Sequence, residues 1–496
     1  MGNIIMKRQQ KYTALAALAM LAAGFLPAYA DTYTATNNSP TTSLDDALSL
    51  NDTNIYDGKP SSILPSDNLE LVSTASTANG GDKIFKTTGD FVANDVVFKS
   101  TVLGNSVWAY TLLTLKDGTT AKFNSLTYDG VKCETNNVGV ALKLGSGTLD
   151  IANSIVFDRA AGGSEANLYF QDAASTLKVG GDIEIKSKGG NPQLNVSLES
   201  QNITVGGTLK MDSSSASKRI EIKGGDTGMT RNLTFGGWSV SANAGNTIRL
   251  GNAKVVNNLK FTNSAAYEFS GALLNETWND DYKATKLNIS MEATDAENGR
   301  QTMRFTDGSS LGVANMDNGK LGTVSVINGR LDLGLTSKIA GEKLAINGEK
   351  AVFSATGETE GDIGSVSFAS FEGTKGTIVF DFAKDSCDFI KIEGAASAKS
   401  ELTFLVNMTK SDFDSFLADG ATELTYDIMS FQGDSADFAP TIVCSDTALS
   451  GVLNYISNGG ATTARLTITA AVPEPAAVAA VLGAAALAFA AYRRRK

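Results

Sequence analysis

The feature that most constrains the fold is a short alternating pattern that recurs from about residue 83 onward. Triplets with two apolar residues around one polar residue recur at intervals of roughly ten residues. Apolar residues two positions apart give a β-strand one buried face and one solvated face. The pattern therefore predicts an all-β chain. Examples are Leu149-Asp150-Ile151, Leu177-Lys178-Val179, Ile203-Thr204-Val205, Leu233-Thr234-Phe235 and Leu259-Lys260-Phe261.

The spacing of the strands and turns favours a right-handed parallel β-helix. The strands are very short, polar turn residues are dense and tryptophan is scarce, so each coil would bury Leu, Ile and Val against its neighbours. Because the period is irregular, β-sandwich domains stay an alternative. Glycine pairs predicted to mark turns begin at Gly162, Gly180, Gly189, Gly206, Gly224 and Gly236.

Changes in composition divide the chain into five segments. We predict a signal peptide (1–30), a polar leader or N-terminal cap (31–82), β-solenoid repeats (83–374), a β-rich C-terminal cap domain (375–471) and a C-terminal sorting signal (472–496).

Two short helices interrupt the predicted strands. The first spans Ser43 to Leu50 in the polar leader and has Ser43 as its N-cap. The second begins at Ser411 in the cap domain, buries Phe413, and stops at Gly420.

The N-terminus has the three parts of a secretory signal peptide. Three basic residues precede an apolar run from Tyr12 to Leu26, and Ala28 and Ala30 are the small residues that a signal peptidase reads. We expect cleavage before Asp31 and export of the chain.

The segment between the two terminal signals is acidic. The chain has 42 basic and 53 acidic residues; removing seven basic residues and one acidic residue at the ends leaves 35 and 52, a net charge of −17. Such a segment is not expected to bind nucleic acid or anionic lipid.

The last 25 residues combine a rigid turn, an uncharged run and a basic tail. Pro473 and Pro475 bracket Glu474 and prevent a helix from starting before Ala476. The run from Ala476 to Tyr492 would span roughly 25 Å as a helix, slightly less than a bilayer core. We predict a transmembrane helix held at its cytoplasmic end by Arg493, Arg494, Arg495 and Lys496.

This arrangement closely resembles the PEP-CTERM sorting signal of Gram-negative bacteria. The resemblance implies recognition by an exosortase, a membrane-embedded cysteine protease or transpeptidase, and removal of the tail. It also implies transient inner-membrane anchoring. Gly147-Thr148-Leu149-Asp150-Ile151 and Gly329-Arg330-Leu331-Asp332-Leu333 are in addition similar to the strand repeats of autotransporter passenger domains.

The chain has no histidine, which excludes Ser-His-Asp triads, HExxH zinc sites and histidine-ligated metals. An Asp280-Asp281 pair, and Glu221 between Arg219 and Lys223, are the candidates for a polysaccharide-degrading site. We interpret them as turn and strand residues and predict no enzymatic activity, no cofactor and no metal. Gly180-Gly181-Asp182 and Gly224-Gly225-Asp226 begin like a calcium-binding repeat but do not continue it.

The three cysteines, Cys133, Cys387 and Cys444, are widely spaced. In an oxidising compartment one pair can bridge, and we predict Cys387 with Cys444 because both lie in the C-terminal third.

These features predict an exported structural or adhesive protein of the cell surface or extracellular matrix. The alternative is a surface β-helix that binds or degrades polysaccharide; a third reading is a permanently anchored single-span envelope protein. The expected partners are an exosortase-type protease, the membrane through the C-terminal helix, and either extracellular polysaccharide or further copies of the chain.

Overall fold

The computed structural model describes eighteen stretches of the chain. They are residues 31–37, 47–76, 83–103, 109–130, 138–143, 146–159, 166–171, 175–187, 194–198, 200–211, 218–222, 228–241, 246–250, 254–275, 286–305, 321–335, 339–355 and 363–471. Nearly all of their regular structure is β-strand, arranged as a β-solenoid. The chain divides into two compact units, Met1–Val205 with Ser214–Lys218 and Gly206–Ser213 with Arg219–Lys496.

Two parallel ladders build the first unit, and successive strands alternate between them. One ladder joins β1, β3, β5 and β7, then continues through β9, β12 and β15 and through β10 and β13. The other joins β2, β4, β6, β8, β11 and β14. The strands are β1 Thr32–Asn37, β2 Leu48–Ser49, β3 Asn68–Ser76, β4 Lys83–Lys86, β5 Phe91–Leu103, β6 Ala109–Thr114, β7 Thr120–Gly130, β8 Val138–Lys143, β9 Thr148–Ile151, β10 Ile155–Arg159, β11 Ala166–Gln171, β12 Thr176–Val179, β13 Ile183–Ser187, β14 Leu194–Leu198 and β15 Asn202–Met211, whose first residues lie in this unit.

Apolar side chains stack inside the coils at equivalent positions. Thr120, Thr148 and Thr176 are paired in register at intervals of 28 residues, and the same register aligns the inward residues that follow them. One such stack contains Phe123, Ile151, Val179 and Val205, each at most 2% exposed. The predicted burial of one strand face is therefore confirmed, and each such side chain contributes roughly 1.5–3 kcal/mol on burial.

A short segment covers the free edge of β1. Ala35 forms an antiparallel bridge with Tyr56, and the Asp57 amide donates to the Thr34 carbonyl at 2.9 Å. The Tyr56 hydroxyl is buried and donates to the Leu50 carbonyl at 3.0 Å. This covering protects an otherwise open strand edge from pairing with another chain. A 3₁₀ helix, Thr53–Ile55, leads into the bridge.

The helix predicted from Ser43 to Leu50 is wrong at its C-terminal end. Residues 43–46 lie outside the described stretches, but Leu48 and Ser49 form β2 and pair with Phe85 and Lys86. Pairing with β4 places this segment in the second ladder and overrides the local capping pattern.

The second unit continues the parallel arrangement with longer strands. Its main ladder runs through β17, β19, β22, β24, β25, β26 and β28, with β20 and β23 joining at β24. A second ladder joins β16, β18 and β21. The strands after β15 are β16 Lys218–Ile222, β17 Thr230–Val240, β18 Thr247–Leu250, β19 Val256–Phe261, β20 Ala266–Phe269, β21 Ala272–Asn275, β22 Lys286–Glu292, β23 Arg300–Phe305, β24 Leu321–Leu335, β25 Ile339–Ser354, β26 Ser365–Ala383, β27 Ser386–Cys387, β28 Phe389–Asn407, β29 Glu423–Gln432, β30 Thr441–Cys444, β31 Leu449–Asn458 and β32 Ala461–Ala470.

Antiparallel pairing appears at the end of this unit. The parallel ladder crosses residue 375, where the sequence predicts a separate domain, and extends through β28 to β30. Strand β29 then pairs antiparallel with β32, and β32 with β31. These three strands form the β-rich end that the sequence predicts for this region.

The helix predicted near residue 411 is present but begins earlier. Helix α1 spans Lys410–Phe416, and its N-cap is Thr409, whose side chain accepts from the Asp412 amide while the Asp412 carboxylate accepts from the Thr409 amide. Phe413 is buried, as predicted. The reciprocal capping pair moves the start two residues ahead of Ser411.

Glycine pairs occupy two different settings. Gly180 lies at a bend after β12, where a Cβ would come within 2.1 Å of the Ala152 carbonyl oxygen. Gly206 and Gly236, which the sequence predicts in turns, instead lie inside β15 and β17. A Cβ on Gly236 would lie 2.3 Å from the Gly206 carbonyl oxygen, so glycine permits close backbone approach there.

Candidate functional site

A row of asparagines crosses three adjacent strands on the outward face of the second unit. Asn232, Asn258 and Asn288 are paired in register on β17, β19 and β22, and we call them the asparagine ladder. The Asn258 amide donates to the Asn232 carbonyl oxygen at 3.3 Å, and the Asn288 amide donates to that of Asn258 at 2.8 Å. The Thr323 backbone amide donates to the Asn288 side-chain oxygen at 2.9 Å and carries the row onto β24.

The alternation of each strand explains why these amides face solvent. The residues after them, Leu233, Leu259 and Ile289, are at most 1% exposed and point into the coil. The neighbouring position must therefore point outward.

A second polar row lies two residues further along the same strands. Thr234, Lys260 and Ser290 are in register, and Lys260 Nζ lies 2.7 Å from Glu292 Oε2. Ser290 Oγ donates to Glu292 Oε1 at 2.8 Å. Burial opposes ionisation of Glu292, but the hydrogen bonds from Lys260 and Ser290 prevail and lower its pKa. The row thus presents a compensated pair of charges.

The two rows border a shallow groove of about 390 Å³, which we call the amide groove. The polar groups that reach it come from neighbouring coils, so the groove crosses the strands rather than following one of them. Its polar lining includes Asn232, Asn258, Asn288, Lys260, Ser290 and Ser325.

A second polar cluster in this unit is closed around one carboxylate. The Asp332 side chain is fully buried and accepts from Arg300 Nε, from Arg330 Nε at 2.8 Å and from Thr302 Oγ1 at 3.1 Å. The register of β23 and β24 places Arg300 beside Arg330 and Thr302 beside Asp332. With its carboxylate surrounded by donors from its own fold, this cluster ties neighbouring strands together.

The residues predicted to direct sorting lie outside the described stretches. These are Pro473, Glu474, Pro475, Arg493, Arg494, Arg495 and Lys496, and the signal-peptidase residues Ala28 and Ala30. Within the described stretches, no helix has both the length and the apolar character needed to cross a bilayer. The described chain ends at Ala471, whose amide donates to the Ala448 carbonyl at 2.7 Å.

The two cysteines that the sequence pairs have different surroundings, and both are free thiols in the structure. The Cys387 thiol donates to the Asp427 carbonyl at 3.3 Å. Burial, followed by the charges of Asp388 and Asp427, raises the pKa of Cys387 to about 12. Burial and the charge of Asp446 raise the pKa of Cys444. Cys133 lies outside the described residues.

The residues considered for catalysis do not form a described site. Asp280, Asp281 and Lys223 fall outside the described stretches, while Arg219 and Glu221 lie on β16 beside Thr247 and Arg249 of β18. Among the described residues, no group of three or more acidic or cysteine side chains converges as metal ligands would.

Sequence reasoning missed the asparagine ladder, although a signal for it exists. Asn232-Leu233-Thr234, Asn258-Leu259-Lys260 and Asn288-Ile289-Ser290 repeat an order of asparagine, aliphatic and polar residue. The intervals between these triplets differ, so their alignment becomes evident only from strand pairing.

Fold and face together define a β-solenoid with regular polar rows on its outer surface. Comparison of the chain with protein-family models and with curated proteins found no match.

Proposed function

We propose that this chain is an exported, right-handed β-solenoid that serves a structural or adhesive role at the cell surface or in the extracellular matrix. The observation that supports this best is the parallel ladder, which buries its apolar residues and aligns polar residues outward, as in the asparagine ladder. Stacked coils present such rows over an extended surface suited to contact with large partners.

Delivery depends, in this proposal, on the two terminal signals. The signal peptide directs export, and the C-terminal helix holds the chain in the inner membrane until an exosortase-type protease acts at Pro473-Glu474-Pro475. Strand β32 ends at Ala470, so cleavage at the tripeptide would leave the last strand whole. The product would be a complete solenoid without its anchor.

Intact mass and membrane partitioning of the native protein test this proposal. The wild-type chain is expected to lose its tail, whereas a variant with alanines at Pro473, Glu474 and Pro475 stays full-length in the membrane fraction. A matched variant with Pro440→Ala, a proline within the folded region, should be processed like the wild type. A full-length tail in the wild-type protein contradicts the sorting role.

A further inference from the structure

We infer that the amide groove binds an extended segment of uncharged polysaccharide. This inference rests on the proposed function and gives its adhesive role a ligand class. It depends on three properties of the groove: the hydrogen-bonding groups that the asparagine ladder leaves available, their regular spacing, and the balance of charge around them.

The asparagine ladder retains hydrogen-bonding capacity after its internal bonds are made. A carboxamide has two N–H donors and an oxygen with two lone pairs. Asn258 and Asn288 each donate one N–H along the ladder, and each oxygen accepts one hydrogen bond. Each therefore keeps a donor and a lone pair, the combination that a sugar hydroxyl matches as both acceptor and donor.

The spacing of these groups suits a repeating polymer. Adjacent strands lie roughly 4.8 Å apart, so carboxamides recur at that interval from coil to coil. This distance is comparable to the length of one sugar unit in an extended chain. A polysaccharide that crosses the strands would thus meet equivalent groups in succession.

The charges around the groove favour an uncharged ligand. Lys260 is compensated by Glu292 at 2.7 Å, and Lys286 at the start of β22 is compensated by Glu342 at 2.6 Å. The net charge of −17 between the terminal signals repels anionic polymers and further copies of the chain alike. Neutral hydroxyl-rich chains escape this repulsion.

Affinity electrophoresis of the full chain tests the inference directly. Hydroxyethylcellulose, a neutral glucan, is cast into the gel, and polygalacturonate serves as the anionic comparison. The glucan should retard the wild-type chain and polygalacturonate should not. Asn258→Ala should weaken retardation roughly fivefold or more, the effect of losing one or two hydrogen bonds. Ser325→Trp, which fills the groove without altering the ladder, should also weaken it.

The control variant is Asn153→Ala in the first unit. Asn153 is exposed and donates to the Asn124 side-chain oxygen at 2.7 Å, so it is also a ladder asparagine but lies outside the groove. It should bind as the wild type does. Undiminished retardation of both groove variants, equal weakening by Asn153→Ala, or wild-type retardation by polygalacturonate alone would overturn the inference. Because gel binding does not depend on tail removal, the mass measurement above can fail or succeed separately.

Discussion

Gln301 brackets the backbone of Trp238 with both ends of its carboxamide. Gln301 Oε1 accepts from the Trp238 amide at 2.9 Å, and Gln301 Nε2 donates to the Trp238 carbonyl at 3.1 Å. Trp238 is fully buried among Phe235, Phe261 and Phe269, with ring centroids 5.3–5.7 Å away. A side chain thus satisfies the peptide groups of Trp238 inside an aromatic core.

Gln301→Leu should destabilise the second unit. The substitution conserves approximate size but leaves the buried Trp238 amide and carbonyl without the partners they have now, at about 1–3 kcal/mol for each group. Urea denaturation followed by tryptophan fluorescence measures the loss. Gln432→Leu, at an exposed position of β29, is the control and should change stability by less than about 0.5 kcal/mol. Equal midpoints for the two variants would contradict the role of the bracket.

Gly180→Ala should destabilise the first unit because the coils approach too closely there. The new methyl group would lie 2.1 Å from the Ala152 carbonyl oxygen, and relieving this overlap costs about 1–3 kcal/mol. Gly89→Ala is the matched control, since a Cβ at Gly89 meets no atom within 4 Å. Thermal melting by circular dichroism should show a lower midpoint for Gly180→Ala alone. A midpoint unchanged from wild type would mean that the coils can separate at this bend at little cost.

Asp332→Asn should be strongly destabilising, whereas loss of an exposed ion pair should not. Without the carboxylate, Arg300 and Arg330 face each other across adjacent strands, and breaking such a buried pair costs about 3–5 kcal/mol. Glu297→Gln removes an exposed partner of Lys350 at 3.2 Å and should cost at most about 1 kcal/mol. Denaturant midpoints compare the two directly, and similar losses would show that Asp332 is not the anchor of its cluster.

Alkaline pH should destabilise the chain through Cys387. Folding raises the pKa of this thiol from 9.0 to about 12, so its contribution is complete below pH 9 and is lost as the pH rises toward 12. Cys387→Ala should therefore flatten the decline in stability between pH 9 and pH 10. Tyr426, whose burial raises its pKa to about 12, adds a similar decline from pH 10 upward. The same slope in the variant and the wild type would assign the alkaline loss to other groups.

The inward residues and the strand class were predictable because they depend on local alternation. Leu149 and Ile151 are fully buried at the positions that the triplet pattern indicates. Short intervals between triplets likewise predicted stacked coils, and the parallel pairing of β9 with β12 confirms this arrangement.

Features that depend on pairing between distant residues were not predictable. Asn232 and Asn258 are 26 residues apart and Asn258 and Asn288 are 30 apart, so no fixed period in the sequence aligns them. The strand at Leu48 was read as helix because its partner, Phe85, lies outside the local window. In both cases inter-coil register outweighs local preference.

The 28-residue register through Thr120, Thr148 and Thr176 has a consequence for how the chain can grow. A tandem copy of residues 120–147 would add one complete layer whose inward and outward positions match those above and below. A copy one residue shorter would turn every inward side chain in it toward solvent. Length is therefore adjustable in whole layers, by gene segments of fixed size, without altering either end of the solenoid.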